Sequence, residues 1–170
     1  MIRQAIEDDL SQILEIYNDA ILNTTAIYTY NVQSIEDRTL WLHKKNEDEL
    51  PVLVSIENNQ VIGFATFGPF RAWPAYKYTI EHSVYVHNDF RHHGIGTALI
   101  KEIIRIAEER NFATIVAGID AFNENSLKLH EKLGFEYSGT IRRAGFKFGK
   151  WLDLAFYQLN LPGPENPQDG

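Results

Sequence analysis

Ser83-Val84-Tyr85-Val86-His87-Asn88-Asp89-Phe90-Arg91-His92-His93-Gly94-Ile95-Gly96-Thr97-Ala98-Leu99-Ile100-Lys101-Glu102-Ile103-Ile104 passes from a β-branched and aromatic run, through a glycine turn, into a helical pattern. Tyr78 to Val86 predicts a strand, and the helix is predicted to reach about Arg110. Two glycines let backbone approach backbone closely, and the first N–H groups of a helix lack intrahelical partners. Together they can cradle a diphosphate, with Arg91 adding positive charge. The same pattern also fits a plain strand–helix turn that needs small residues. The third glycine of a dinucleotide fingerprint is missing, as is the Gly-Lys-Ser/Thr of a nucleoside-triphosphate loop.

On the N-terminal side, a helix is predicted over about Asp8 to Leu22, with Leu10, Ile13, Leu14, Tyr17 and Ile21 on one face. A second starts near Ser34, where Ser34 and Asp37 resemble a capping box and Trp41 and Leu42 face the core. Val52 to Ile56, the turn Glu57-Asn58-Asn59-Gln60, and Val61 to Phe67 form a hairpin that ends at Gly68-Pro69. On the C-terminal side, Thr114 to Ile119 is a strand and Asn125 to Leu133 a helix stopped by Gly134. Two further strands fall near Phe135-Glu136-Tyr137 and from about Trp151 to Leu159. Helix, helix, hairpin, strand, helix, strand, helix, strands gives an α/β (α+β) fold, a mixed sheet flanked by helices.

The chain has 170 residues, 44% of them hydrophobic and 23% charged, which suits one globular domain. That domain is expected over 1–161. The segment 162–170, with three prolines and no large apolar residue, is expected to be a disordered tail. Sixteen Lys and Arg against 23 Asp and Glu give a net charge of −7, which argues against a general nucleic-acid binder. The absence of cysteine rules out disulfides, thiolate metal sites and a cysteine nucleophile. No apolar run approaches the ~18 residues that span a bilayer, and Met-Ile-Arg-Gln-Ala-Ile-Glu-Asp-Asp is not a secretory signal. A cytoplasmic protein without membrane contact is expected. His92 and His93 are adjacent, and His82 and His87 are five apart on a strand. Neither pair presents two ligands on one helix face, so no metal is expected. No Gly-x-Ser-x-Gly marks a serine hydrolase.

Beyond the glycine turn, Asn123-x-x-Ser126-x-x-x-His130-x-x-x-Gly134-Phe135 completes a pattern that resembles the GCN5-related N-acetyltransferase superfamily. The resemblance implies a single-domain, mixed, mostly antiparallel sheet and acetyl-CoA as co-substrate. It implies that Arg91-His92-His93-Gly94-Ile95-Gly96-Thr97 holds the pyrophosphate and that the strand Val84-Tyr85-Val86 pairs with the pantetheine arm, chiefly through Val84 and Val86. Asn123 and Ser126 would also face the cofactor. Where the family often has a tyrosine acid, this chain has His130. A narrower resemblance is carried by Tyr17-Asn18-Asp19-Ala20, Pro51-Val52-Leu53-Val54, Gly68-Pro69-Phe70-Arg71, Tyr78 to Val86, Leu129 to Phe135 and Gly145-Phe146-Lys147-Phe148-Gly149-Lys150-Trp151-Leu152-Asp153-Leu154. These blocks look like the phosphinothricin and methionine sulfoximine acetyltransferase group. Some members carry Arg at the position of Trp73, and several carry Gly at His92.

Glu81 is the candidate base. An α-amine of pKa ~8 must lose a proton before it attacks, and a carboxylate in a cleft takes it directly or through water. The alternative is a strand carboxylate paired with Arg71 or Lys77. His130 is the candidate acid for the departing thiolate of coenzyme A, or else a histidine packed on the inner helix face. Phe70 to Tyr78 forms an aromatic loop with cations. Arg71 would grip a substrate carboxylate in two-point fashion, Trp73 and Tyr76 would enclose the side chain, and Tyr28, Tyr30 and Lys147 would complete the pocket. The alternative is an aromatic cluster with a solvated arginine.

The expected function is acetyl transfer from acetyl-CoA to the α-amine of a small amino acid. Phosphinothricin, methionine sulfoximine and methionine sulfone lead the candidates, with direct attack in a ternary complex. A homodimer is implied by the resemblance. Acetylation of another amine, such as a protein N-terminus or polyamine, and a non-catalytic acyl-CoA sensor are the alternatives.

Overall fold

The structure, a computed structural model, describes residues 1–170. Its strands are β1 (Ile2–Gln4), β2 (Val52–Glu57), β3 (Gln60–Pro69), β4 (Thr79–Val86), β5 (Thr114–Asp120), β6 (Glu136–Lys147) and β7 (Lys150–Asn160). Its helices are α1 (Leu10–Asn23), α2 (Ile35–Glu47), α3 (Ile95–Glu109) and α4 (Glu124–Lys132), with short 3₁₀ turns at Glu7–Asp9, Pro74–Tyr76 and Asn88–Phe90. The strand order is β1-β2-β3-β4-β5-β7-β6, a mixed seven-stranded sheet in an α/β fold. β1 with β2, β2 with β3, β5 with β7 and β6 with β7 pair antiparallel, and β4 and β5 run parallel from Thr79↔Thr114 to Glu81↔Val116. The chain divides into two compact units, Met1–Phe67 with Ser83–Ile100, and Gly68–His82 with Lys101–Gly170.

In the first unit, α1 buries Leu10, Ile13, Ile16, Ala20 and Ile21, a stripe at helical spacing. Leu10, Ile13 and Ile16 join Leu42 of α2 and Val52, Val54, Val61 and Phe64 of the hairpin in one apolar cluster. Each such side chain removed from water contributes roughly 1.5–3 kcal/mol, so this cluster anchors α1 and α2 to the hairpin. Ser34 caps α2 with both halves of the capping box present: Asp37 N–H donates to Ser34 Oγ at 3.1 Å, and Ser34 N–H donates to Asp37 Oδ2 at 2.9 Å. Gly63 of β3 is a close-approach residue, because a Cβ there would lie 3.0 Å from the Tyr85 carbonyl and 3.2 Å from Leu99 Cδ1.

The sequence did not announce β1. It pairs with β2 from Ile2↔Ser55 to Gln4↔Leu53. From the middle of β1 the Arg3 guanidinium forks onto Asp9 at 2.7 and 2.9 Å, and Ile6 N–H also donates to Asp9 Oδ2 at 2.9 Å.

In the second unit, β5 pairs with β7 from Thr114↔Asn160 to Asp120↔Leu154. Its β6–β7 hairpin is far longer than the sequence suggested. A strand expected near Phe135 to Tyr137 runs from Glu136 to Lys147. Two register shifts, at Tyr137/Gly139 and Ile141/Gly145, interrupt its alternation, and Arg143 has φ +54°. Bulges erase the period of two that identifies a strand, and this edge strand is exposed along most of its length. Residues 161–170 form no helix or strand, and Gln168 N–H donates to Tyr78 Oη at 3.0 Å.

Candidate active site

The first unit carries the strand and loop read as cofactor-binding. Ser83 to Val86 are all half-buried, and the ladder that β4 makes with β5 ends before them, at Glu81↔Val116. Tyr85 packs its ring against Tyr17 and Phe64, at centroid separations of 5.6 and 5.0 Å. The 3₁₀ turn Asn88–Phe90 delivers Arg91 to the loop. His92 has φ +66° and Gly94 φ +78°, and His92, His93 and Gly94 are exposed. A Cβ on Gly94 would meet nothing within 4 Å, so the glycine serves the backbone turn and leaves open space beside it. Ile95, Gly96 and Thr97 form the first turn of α3. A glycine-turned helix start with an arginine beside it fits a diphosphate.

Arg91 is already engaged. Its guanidinium lies 3.6 Å from Asp19 Oδ2, and Asn23 Nδ2 holds the other oxygen of Asp19 at 2.8 Å. Asp19 belongs to one of the blocks that carry the resemblance, yet its sequence position gave no sign of this partner. Tyr28 and Tyr30 lie exposed in the segment between α1 and α2. That segment is fixed at Gln33, whose backbone exchanges hydrogen bonds with the Asn18 side chain at 2.9 and 3.0 Å. Gln33 Oε1 in turn accepts from Nε of the buried Arg38, whose guanidinium lies 3.8 Å from the Tyr17 ring centre and 4.3 Å from that of Trp41. Burial lowers the Arg38 pKa, and no sequence signal marked it as an interior cation.

The second unit holds the candidate catalytic groups. Glu81 is half-buried on β4. Burial raises its pKa, and the positive charge of Arg71 opposes that rise. A carboxylate with raised affinity for protons suits a general base working near neutral pH. Arg71 is exposed, with its guanidinium 5.1 Å from the Phe70 ring. Tyr76 meets that same ring edge-on at 5.7 Å. Trp73 is 74% exposed. Lys147 lies at the other extreme, only 4% exposed, and burial lowers its pKa.

Asn123 and Ser126 meet at the start of α4, where Ser126 N–H donates to Asn123 Oδ1 at 3.2 Å. One turn on, His130 is buried and both of its ring nitrogens are engaged. Nδ1 lies 2.7 Å from the Ser126 carbonyl, and Nε2 lies 3.0 Å from Nε2 of the buried His82. A carbonyl only accepts, so the His130 proton sits on Nδ1. Its Nε2 is then bare and accepts from His82 Nε2–H. That leaves His82 Nδ1 bare, and this atom is buried without a partner. Burial lowers the pKa of both rings, for His82 to about 3, with the neighbouring His130 adding to the effect there. The pair is neutral at ordinary pH. His82 alternates with Glu81 along β4 and so leaves the sheet on the opposite face. No three His, Asp or Glu side chains gather in a way that could hold a metal ion, and no helix is long and apolar enough to cross a membrane.

A family model described as an acetyltransferase (GNAT) domain matches residues 2–156. The chain is 41% identical to the L-amino acid N-acyltransferase MnaT of Escherichia coli, over 98% of this chain and 96% of that protein. It is 42% identical to an L-methionine sulfoximine/L-methionine sulfone acetyltransferase of Pseudomonas paraeruginosa, over 94% of each. Among solved structures, a GNAT superfamily phosphinothricin acetyltransferase from Sinorhizobium meliloti in complex with acetyl-CoA superposes with a TM-score of 0.95 at 34% identity, covering 100% of this chain and 94% of that one. The chain therefore belongs to the GNAT acetyltransferase family and is an acetyl-CoA-dependent N-acetyltransferase close to the amino-acid acetyltransferases.

Proposed function

We propose that this enzyme acetylates the α-amine of a small amino acid of the methionine sulfoximine, methionine sulfone or phosphinothricin type, with Glu81 as the base. The observation that carries this is the half-buried Glu81 carboxylate, held above its ordinary range by burial and faced by the Arg71 cation. Arg71 would receive the substrate carboxylate, and Trp73, Tyr76 and Lys147 would border the side chain. Acetyl-CoA, when bound, supplies a thioester carbonyl as the electrophile. Glu81 takes the ammonium proton, directly or through one water, and the freed nitrogen attacks without a covalent enzyme intermediate. Coenzyme A is an adequate leaving group at thiol pKa ~8.5, so a strong acid is not needed. His130 would have to give up Ser126 or His82 to protonate the thiolate, and its two hydrogen bonds support the packed role better. Arg91, the Gly94 turn and the Val84 and Val86 backbone would hold the cofactor. A cytoplasmic homodimer fits this reading, and exposed Ile141, Phe146 and Trp151 on the β6–β7 hairpin offer a surface for it.

The test is coenzyme A release across methionine sulfoximine, methionine sulfone, phosphinothricin, ordinary amino acids, polyamines and short peptides, for wild type and Glu81→Gln. Turnover confined to the first three is expected. Glu81→Gln should lose most at low pH, where the free amine is scarcest, and keep its acetyl-CoA affinity. A rate loss that is equal at every pH would remove Glu81 as the base, and activity on peptides or polyamines alone would overturn the substrate class.

A further inference from the structure

We infer that Gly118 of β5 is the opening through which the substrate's primary amine, or a single water bonded to it, reaches the Glu81 carboxylate. This rests on the proposed role of Glu81 as the base. Gly118 is exposed although Ala117 and Ile119 on either side are buried and β5 lies between β4 and β7. An exposed residue in an interior strand marks a place where nothing of the chain covers that sheet face. The missing side chain is what keeps the space beside the carboxylate clear. A Cβ at Gly118 would stand 3.3 Å from Glu81 Oε1, 3.4 Å from Leu154 Cδ1 and 3.7 Å from Phe156 Cε1. The distance to Oε1 is tighter than ordinary side-chain contacts, so a methyl group would push the carboxylate or fill the space above it.

The surroundings also say what fits. Phe156 is the residue paired across the ladder from Gly118, and Leu154 lies one step along the same face. These two give the opening apolar walls, and the carboxylate is its polar end. A small group with one nitrogen or oxygen directed at Oε1 matches that shape. Glycine weakens a strand interior, and one commonly marks a close approach by a ligand. The backbone of Gly118 does not require glycine, since its φ lies outside the left-handed region. Clearance is the reason that remains.

The experiment uses the full chain with Gly118→Ala and Gly118→Ser beside Glu81→Gln. Each is measured for acetyl-CoA Kd and for kcat/KM toward methionine sulfoximine from pH 5.5 to 9. Alanine should leave the Kd unchanged and lower kcat/KM roughly tenfold. It should also move the acid limb upward by roughly half a pH unit, because a methyl group displaces water from the carboxylate. Serine, whose hydroxyl donates to the carboxylate, should bring the limb back below that of alanine. The inference is overturned if Glu81→Gln moves the acid limb while Gly118→Ala keeps the wild-type rate and limb. A rate loss with an unmoved limb overturns it too, since distortion alone would give that result. If Glu81→Gln keeps the wild-type limb, the role of Glu81 fails and the inference falls with it.

Discussion

Acid should destabilise this protein well above the range where carboxylates titrate, through the His82–His130 pair. Both rings are buried and neutral, and the hydrogen bonds that hold them fix one tautomer on each. An unfolded histidine has a pKa near ~6.5, whereas burial and the neighbouring ring hold His82 at about 3. Between those values the unfolded chain binds a proton that the folded chain refuses. Stability is therefore complete above pH ~6.5 and falls as pH drops toward the folded value. At pH 5 the unfolded His82 is almost fully protonated, and the loss from this residue alone is about 2 kcal/mol, at 1.36 kcal/mol per pKa unit. His130, whose pKa burial also lowers, adds in the same direction.

Urea unfolding at pH 8, 7, 6 and 5 reads this directly. The midpoint should fall steeply below pH 6.5 in the wild type. His82→Leu should be less stable at pH 8 by about 1–3 kcal/mol, because His130 Nε2 loses its donor inside the protein. It should also lose stability more gently toward pH 5, by about the His82 share. Glu81, with its raised pKa, works the other way: the folded state holds its proton more tightly, so acid favours folding there. Asp9 and the other carboxylates lowered in the folded state matter only nearer pH 4. Equal acid slopes in the wild type and His82→Leu would refute the argument, because the histidine would then titrate alike in both states.

Two further outcomes follow from named contacts. Arg71→Ala should raise the amino-acid KM at least tenfold and leave the acetyl-CoA KM unchanged, measured by steady-state kinetics with each substrate varied. Asp9→Ala should lower the urea midpoint by the equivalent of about 1–3 kcal/mol, because the Arg3 fork and the Ile6 N–H lose a buried acceptor. Burial alone would raise the Asp9 pKa, but the hydrogen bonds from Arg3 and Ile6 and the charge of Arg3 outweigh it and lower the folded value. The stabilisation is thus present above pH ~3.9 and is lost as pH falls through the folded pKa, so the mutational difference should shrink below pH 4.

Periodicity made most of the elements legible. α1, α2, the β2–β3 hairpin, β4, α3, β5 and α4 all lie within a few residues of where apolar spacing, caps and turn residues put them. Expectation failed where those signals are physically absent. β1 is three residues long and shows no full period, and its place is fixed by the ladder to β2 and by the Arg3 grip on Asp9. β6 is an exposed edge strand in which two register shifts break the alternation, the second of them across Ile141-Arg142-Arg143-Ala144. In α1, Leu14 was expected on the buried face, and Ile16 and Ala20 take that burial instead. The helix is covered over a wider arc than a single narrow stripe.

The site was legible only as far as one residue at a time can carry meaning. Glu81, Arg91, Gly94 and His130 could be named from residue type and local pattern. The surroundings of Glu81, Arg91 and His130 include a second residue distant in sequence. Asp19 engages Arg91 across 72 positions, Gly118 leaves room beside Glu81 across 37, and His82 donates to Nε2 of His130 across 48. Gly118 is the sharpest case, because its contribution is an atom that is missing. No propensity, charge or motif distinguishes a glycine that clears a carboxylate from one that merely weakens a strand. The distinction needs the distance from an imagined Cβ to Oε1, and that distance exists only once β4, β5 and β7 lie side by side. Partners of this kind are therefore the residues to look for beside every motif residue in such a fold, since they decide whether a base is reachable, an arginine is free, or a histidine has a proton to give.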